Sequence, residues 1–153
     1  MKKYLLFVVM LFVSVSIFAN VTLPKIFSDN MVLQRNVLIP VWGWADANKK
    51  VEVTFNKQVK NVKADKSGKW IVRLNAEFAG GPYELSVKGK NTILIKNVLV
   101  GEVWLCSGQS NMEWTVGQSN NAKKEIASAN YPFIRHIKIS HTISSLPQPD
   151  LIP

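Results

Sequence analysis

Cysteine is nearly missing from this sequence. The single Cys106 excludes a disulfide within the chain. With only two histidines beside it, a structural zinc site of four Cys and His ligands is excluded as well. Acid is also scarce: 10 Asp and Glu stand against 19 Lys and Arg, for a formal net charge of +9. Charged residues make up 19% and hydrophobic residues 47%, a balance that excludes a disordered tail. Long apolar runs are limited to one, Tyr4 to Val13, which is shorter than the about 20 residues of a membrane-spanning helix. No internal repeat is visible.

That one run has the three parts of a secretory signal. Lys2 and Lys3 form a basic start, the apolar core follows, and Ser14, Ser16 and Ala19 supply small residues near a cleavage point. Residues 1–19 are therefore read as a signal peptide cut after Ala19, although Ile17 departs from the usual small residue at −3. Export places the protein in the periplasm or outside the cell. It leaves no membrane attachment after cleavage and makes nucleic acid an unsuitable partner. The basic residues agree, since no aromatics interleave with them as in a nucleic-acid module.

Residues 20–100 read as a small all-β module. Val51, Val53 and Phe55 alternate with Glu52 and Thr54, the period of a half-buried strand. Trp70, Val72 and Leu74 repeat the pattern, as do Tyr83, Leu85 and Val87. Pro40 to Ala45 and Thr92 to Val100 are two further strand candidates. Turn chemistry separates them. Asn56-Lys57 can close a tight hairpin, and Asp65-Lys66-Ser67-Gly68 combines an Asx start with a glycine able to take positive φ. Regular short strands with such turns predict a β-sandwich or jelly-roll-like module. Eleven Lys and Arg against five acids lie in residues 45–100 and read as solvated strand faces and edge guards. Trp42, Trp44 and Trp70 read as core, with sugar stacking as the competing role.

The composition changes at Gly101. Val103 to Ser107 is a short apolar run without alternation, as expected of a strand buried on both faces. Gly108-Gln109-Ser110-Asn111-Met112 follows as a turn. A helix over Ala122 to Ala129 comes next, with Asn120 or Asn121 as N-cap, and Ile134 to Ile139 reads as a second strand. The order β, turn, α, β opens an α/β fold with a parallel sheet. In such a sheet, ligands bind beyond the carboxyl ends of the strands. A serine on a tight turn there is lifted out as a candidate nucleophile, and the N–H groups after it can hold an oxyanion. Gly108 is expected to let the backbone turn. Cys106, Trp104 and Trp114 are expected to pack inside.

The block from Gly101 to Trp114, Gly-Glu-Val-Trp-Leu-Cys-Ser-Gly-Gln-Ser-Asn-Met-Glu-Trp, resembles the first signature block of the sialate O-acetylesterase family, in the SGNH hydrolase superfamily. Phe27 to Arg35, Phe-Ser-Asp-Asn-Met-Val-Leu-Gln-Arg, and Val41 to Ala45, Val-Trp-Gly-Trp-Ala, are similar to that family's N-terminal β region. The resemblance implies a serine esterase that removes O-acetyl groups from sialic acids or related glycans. It implies Ser110 as the nucleophile, whose own N–H serves the oxyanion hole, and it implies no metal or organic cofactor. Gln109 and Asn111, beside the serine, are candidate substrate contacts. The implied fold is a β-sandwich-like module followed by the first β-α-β part of a flavodoxin-like SGNH hydrolase domain over residues 101–153.

The sequence departs from the family in one respect. The family's general-base histidine lies in a block far downstream of the nucleophile. The two histidines here, His136 and His141, come 26 and 31 residues after Ser110, too early for that block, and neither is assigned a role. The chain is therefore read as the front of a longer esterase, inactive by itself. The alternative reading is a non-catalytic β-sandwich module for carbohydrate binding or interaction. Which acetylated sugar is attacked and the oligomeric state are not legible.

Overall fold

The computed structural model describes residues 20–140 and 142–151. The segment 1–19, predicted from sequence as a signal peptide, and His141 lie outside these residues.

Among the described residues seven strands form in chain order: β1 (Val32–Gln34), β2 (Ile39–Trp44), β3 (Lys50–Phe55), β4 (Gln58–Lys63), β5 (Lys69–Leu74), β6 (Gly80–Lys88) and β7 (Thr92–Gly101). Five of them fall where the apolar pattern predicts strands. The two that the pattern does not announce are β1, of three residues, and β4, whose sequence Gln-Val-Lys-Asn-Val-Lys is polar on both faces. β4 is the edge of its sheet and pairs only with β3, across the Asn56-Lys57 hairpin, with Phe55 opposite Gln58. Asn56 takes the left-handed backbone that this turn needs, at φ 51.

The strands sort into a five-stranded sheet, in the order β1-β7-β6-β3-β4, and a two-stranded sheet, β2-β5. All ladders are antiparallel except β1 with β7, which is parallel and sets Val32 opposite Leu99 and Gln34 opposite Gly101. The architecture is mostly β, with few helical turns. Alternation sends Val51, Val53 and Phe55 from β3, Leu85 and Val87 from β6, and Ile39, Val41, Val72 and Leu74 from the small sheet into one core. Phe55 is wholly buried there and meets Tyr83 edge-on, ring centroids 5.5 Å apart.

The Asp65–Gly68 turn forms as its chemistry predicts. Asp65 Oδ1 accepts the Ser67 N–H at 2.7 Å, the Ser67 hydroxyl at 2.7 Å and the Lys69 N–H at 3.0 Å, and Gly68 sits at φ 81. The three tryptophans divide. Trp70 is core, Trp44 is half-buried, and Trp42 lies at the surface with its ring edge-on to Phe27 at 4.8 Å.

The second half departs from expectation. Of the predicted β-α-β unit only the helix forms, as α1 (Ala122–Ser128). Residues 103–107 and 134–139 are irregular and form no ladder. A strand meant for burial on both faces needs a neighbour on each side, and among the described residues neither segment has one. Their side chains stand in solvent accordingly: Trp104 is 82% exposed and Leu105 90%. Cys106 and Trp114, expected inside, are exposed too. Asn121 does occupy the N-cap of α1, but by a left-handed backbone at φ 59 and not by a side-chain bond. No helix among the described residues is long and apolar enough to cross a membrane.

Candidate functional site

The segment that carries Ser110 hangs from the end of β7. There the parallel partner β1 delivers Gln34 and Arg35 to the point where the chain leaves the sheet. The Arg35 N–H donates to the Gly101 carbonyl at 2.9 Å. Its Nε reaches Glu102 Oε1 at 2.5 Å as an ion pair. Gln34 works at both ends of its amide: Nε2 donates to Glu102 Oε2 at 3.0 Å, and Oε1 accepts the Val103 N–H at 2.8 Å. The two blocks that carry the family resemblance, 27–35 and 101–114, therefore meet in space although about 67 residues separate the bonded pairs.

The Glu102 carboxyl is held below its ordinary value, first by the Gln34 hydrogen bond and then by Arg35. Asp65 is held low as well, chiefly by the Ser67 hydroxyl and then by the Lys69 N–H. A carboxyl whose folded value lies below its unfolded value stabilises the fold above the unfolded value, and that contribution is lost as pH falls through the folded one. The urea midpoint of the chain is thus expected to drop as pH passes below 3.8, the ordinary value of the Asp65 carboxyl, whereas the exposed Glu102 pair adds little. Asp65→Asn should lower the midpoint at pH 7 and leave little difference from wild type at acid pH. A variant as stable as wild type at pH 7 would show that the Asp65 bonds contribute nothing.

Beyond the anchor, residues 102–109 run as irregular chain into a single 3₁₀ turn, Ser110–Glu113. Gln109 precedes it in extended conformation, and its carbonyl accepts the Met112 N–H at 2.9 Å. Gln109, Ser110 and Asn111 lie consecutively at the surface, as the sequence places them. Gly108 serves the turn differently than expected. Its backbone is not left-handed; a Cβ there would lie 2.8 Å from Met112 Cγ, so close approach and not φ disfavours a side chain. A second 3₁₀ turn, Val116–Gln118, follows, and Trp114 Nε1 donates to the Ser119 hydroxyl at 3.1 Å.

Among the described residues, no side chain hydrogen-bonds to Ser110, and the exposed His136 is not joined to it. Beyond the serine turn, Asp150 Oδ1 accepts the Lys25 N–H of the β module at 2.8 Å, and the Arg135 guanidinium donates to the Asn97 carbonyl and, at 3.1 Å, to Asn97 Oδ1. Asn97 is itself left-handed at φ 56 and donates to Asn30 Oδ1 at 2.6 Å. Sequence reasoning missed Gln34, Arg35, Glu102 and Arg135, because their roles exist only across long-range pairs. No group of three or more His, Cys, Asp and Glu is gathered for a metal among the described residues. On the small sheet, an open groove is lined by Trp42, Trp44, Lys63, Lys69, Trp70 and Pro149. Trp70 Nε1 is buried beneath it without a hydrogen-bond partner.

No protein-family profile matches the chain. It is similar to a solved structure of a carbohydrate acetylesterase from Xanthomonas citri, at 42% identity and a TM-score of 0.84 over 88% of this chain and 31% of that one. Over the matched residues the chain thus shares the fold of a carbohydrate acetylesterase. Among curated proteins it is 36% identical over 139 residues to sialate O-acetylesterase of Pongo abelii and 37% identical over 127 residues to that of Homo sapiens. The chain belongs to the sialate O-acetylesterase family. These alignments take in 82% and 74% of this chain but 26% and 24% of the relatives, so it spans about a quarter of their length.

Proposed function

We propose that this chain carries the nucleophile of an exported serine esterase that removes O-acetyl groups from sialic acids or related glycans. The observation that carries the reading is Ser110 at the head of an exposed tight turn, on a segment anchored to the β core at Glu102 and Val103. The family membership supports the chemistry. Residues 20–100 form the jelly-roll-like module in this reading, and residues 101–153 begin an SGNH hydrolase domain whose strands become paired when the rest of the sheet is present.

In that enzyme Ser110 Oγ attacks the acetyl carbonyl carbon as a base takes its proton. The carbonyl oxygen becomes an oxyanion held by the Ser110 N–H, a donor of the kind whose removal costs about 3–4 kcal/mol in known hydrolases. Collapse expels the sugar hydroxyl, which receives the proton, and water then releases acetate from the serine. A hydroxyl without a base is a weak nucleophile. The base lies outside the described residues in this reading, so the 20–153 chain should hydrolyse 4-nitrophenyl acetate no faster than its Ser110→Ala variant. The longer enzyme that contains it should show Ser110-dependent release of acetate from an O-acetylated sialic acid. A longer enzyme that leaves acetylated sugars untouched would sink the proposal.

A further inference from the structure

We propose that Gln34, Arg35 and Glu102 are positioning residues that aim the Ser110 segment from the β module. The inference rests on the esterase reading above and adds a role for three residues that touch neither substrate nor the reacting atoms.

Four contacts converge on residues 101–103, where the chain leaves β7. The Gly101 carbonyl is taken by the Arg35 N–H, and the Val103 N–H by Gln34 Oε1. Between them the Glu102 carboxylate is held on both oxygens, Oε1 by Arg35 and Oε2 by Gln34. Gln34 Nε2 also donates to the Arg35 carbonyl at 3.3 Å, which ties the two clamping residues to each other. Register supports the arrangement: the parallel pairing ends with Gln34 opposite Gly101, so the clamp continues the ladder one step past the last strand residue.

Stability does not account for this cluster. The Arg35 and Glu102 side chains are 42% and 48% exposed, and ion pairs in such settings contribute little to folding. What the network does specify is direction. Six residues of irregular chain separate Val103 from the serine turn. A segment free to pivot at Glu102 would reach the reaction centre in many orientations, and misplacement by about 1 Å can cost on the order of a hundredfold in rate. Fixing one peptide carbonyl, one N–H and the side chain between them removes that pivot. The β module therefore acts as the mount for the nucleophile and not only as a neighbour.

The test uses the longer esterase containing this chain, with 4-nitrophenyl acetate as substrate and Ser110→Ala as reference. Glu102→Gln and Gln34→Leu are each expected to lower kcat by about tenfold, with KM within about twofold and the melting temperature unmoved. Arg35→Lys, which keeps the charge, should recover part of the rate lost in Arg35→Ala. A merely structural role would lower the melting temperature and leave kcat per folded molecule at the wild-type value. If Ser110→Ala is inactive while Glu102→Gln and Gln34→Leu keep the wild-type kcat, the clamp inference is overturned and the esterase reading stands. If Ser110→Ala keeps its activity, the esterase reading has failed. Hydrogen exchange then decides the clamp on its own: in Gln34→Leu the Val103 amide should exchange at least about tenfold faster while Val53 and Val87 stay protected, and unchanged exchange at Val103 would overturn it.

Discussion

Alanine at Ser110 should lower kcat of the complete esterase by about three orders of magnitude or more, with a small effect on KM. In the proposed mechanism the change removes the hydroxyl that forms the acyl intermediate, while the backbone N–H proposed for the oxyanion remains. Triad hydrolases stripped of their nucleophile retain some rate from the oxyanion hole and binding, and the loss runs to about a millionfold in the best-studied case. The 3₁₀ turn should survive, because its bond runs from the Met112 N–H to the Gln109 carbonyl and uses no serine side chain. Steady-state kinetics on 4-nitrophenyl acetate with matched circular dichroism spectra makes the measurement. A near-wild-type kcat would remove Ser110 from the chemistry and with it the central claim about the site.

Phe55→Ala is expected to have the largest effect on the fold. The ring is wholly buried on β3, the strand that pairs with both β4 and β6, and it contacts Tyr83 edge-on. Truncating a buried phenylalanine costs about 3–5 kcal/mol through lost transfer energy and the cavity left behind. A domain of this size has about 5–15 kcal/mol to lose. The guanidinium midpoint of the 20–153 chain should fall steeply, whereas Phe78→Ala, at a ring 86% exposed, should change it by under about 0.5 kcal/mol. Equal midpoints for the two variants would mean that the core is not centred on β3.

The contrast between the two phenylalanines shows how far a sequence can be read. Phe55 closes an alternating run, Val51-Glu-Val-Thr-Phe55, and alternation alone predicts which side chains go inward. Phe78 stands between β5 and β6 with no period to place it. The same logic makes β3, β5 and β6 legible and hides β4, an edge strand whose polar residues need satisfy only one neighbour. It also misleads at 103–107. An apolar run says that burial is wanted, but burial on two faces is supplied by other strands, and no local pattern records whether they are at hand.

Local chemistry was enough for the alternating strands, the Asp65–Gly68 and Asn56-Lys57 turns, the helix at 122–128 and the serine turn with its neighbours Gln109 and Asn111. Each depends on residues within a few positions of one another, so periodicity and turn preference act before any distant contact forms. Only the tertiary structure decided that β1 lies parallel to β7, that β2 and β5 form a sheet of their own, and that Gln34 and Arg35 grip Glu102 and Val103. Those outcomes join residues about 25 to 70 positions apart. Their energy comes from pairing backbone groups and carboxylate oxygens that have no local partner, and which distant group supplies the partner depends on how the whole chain closes over its core.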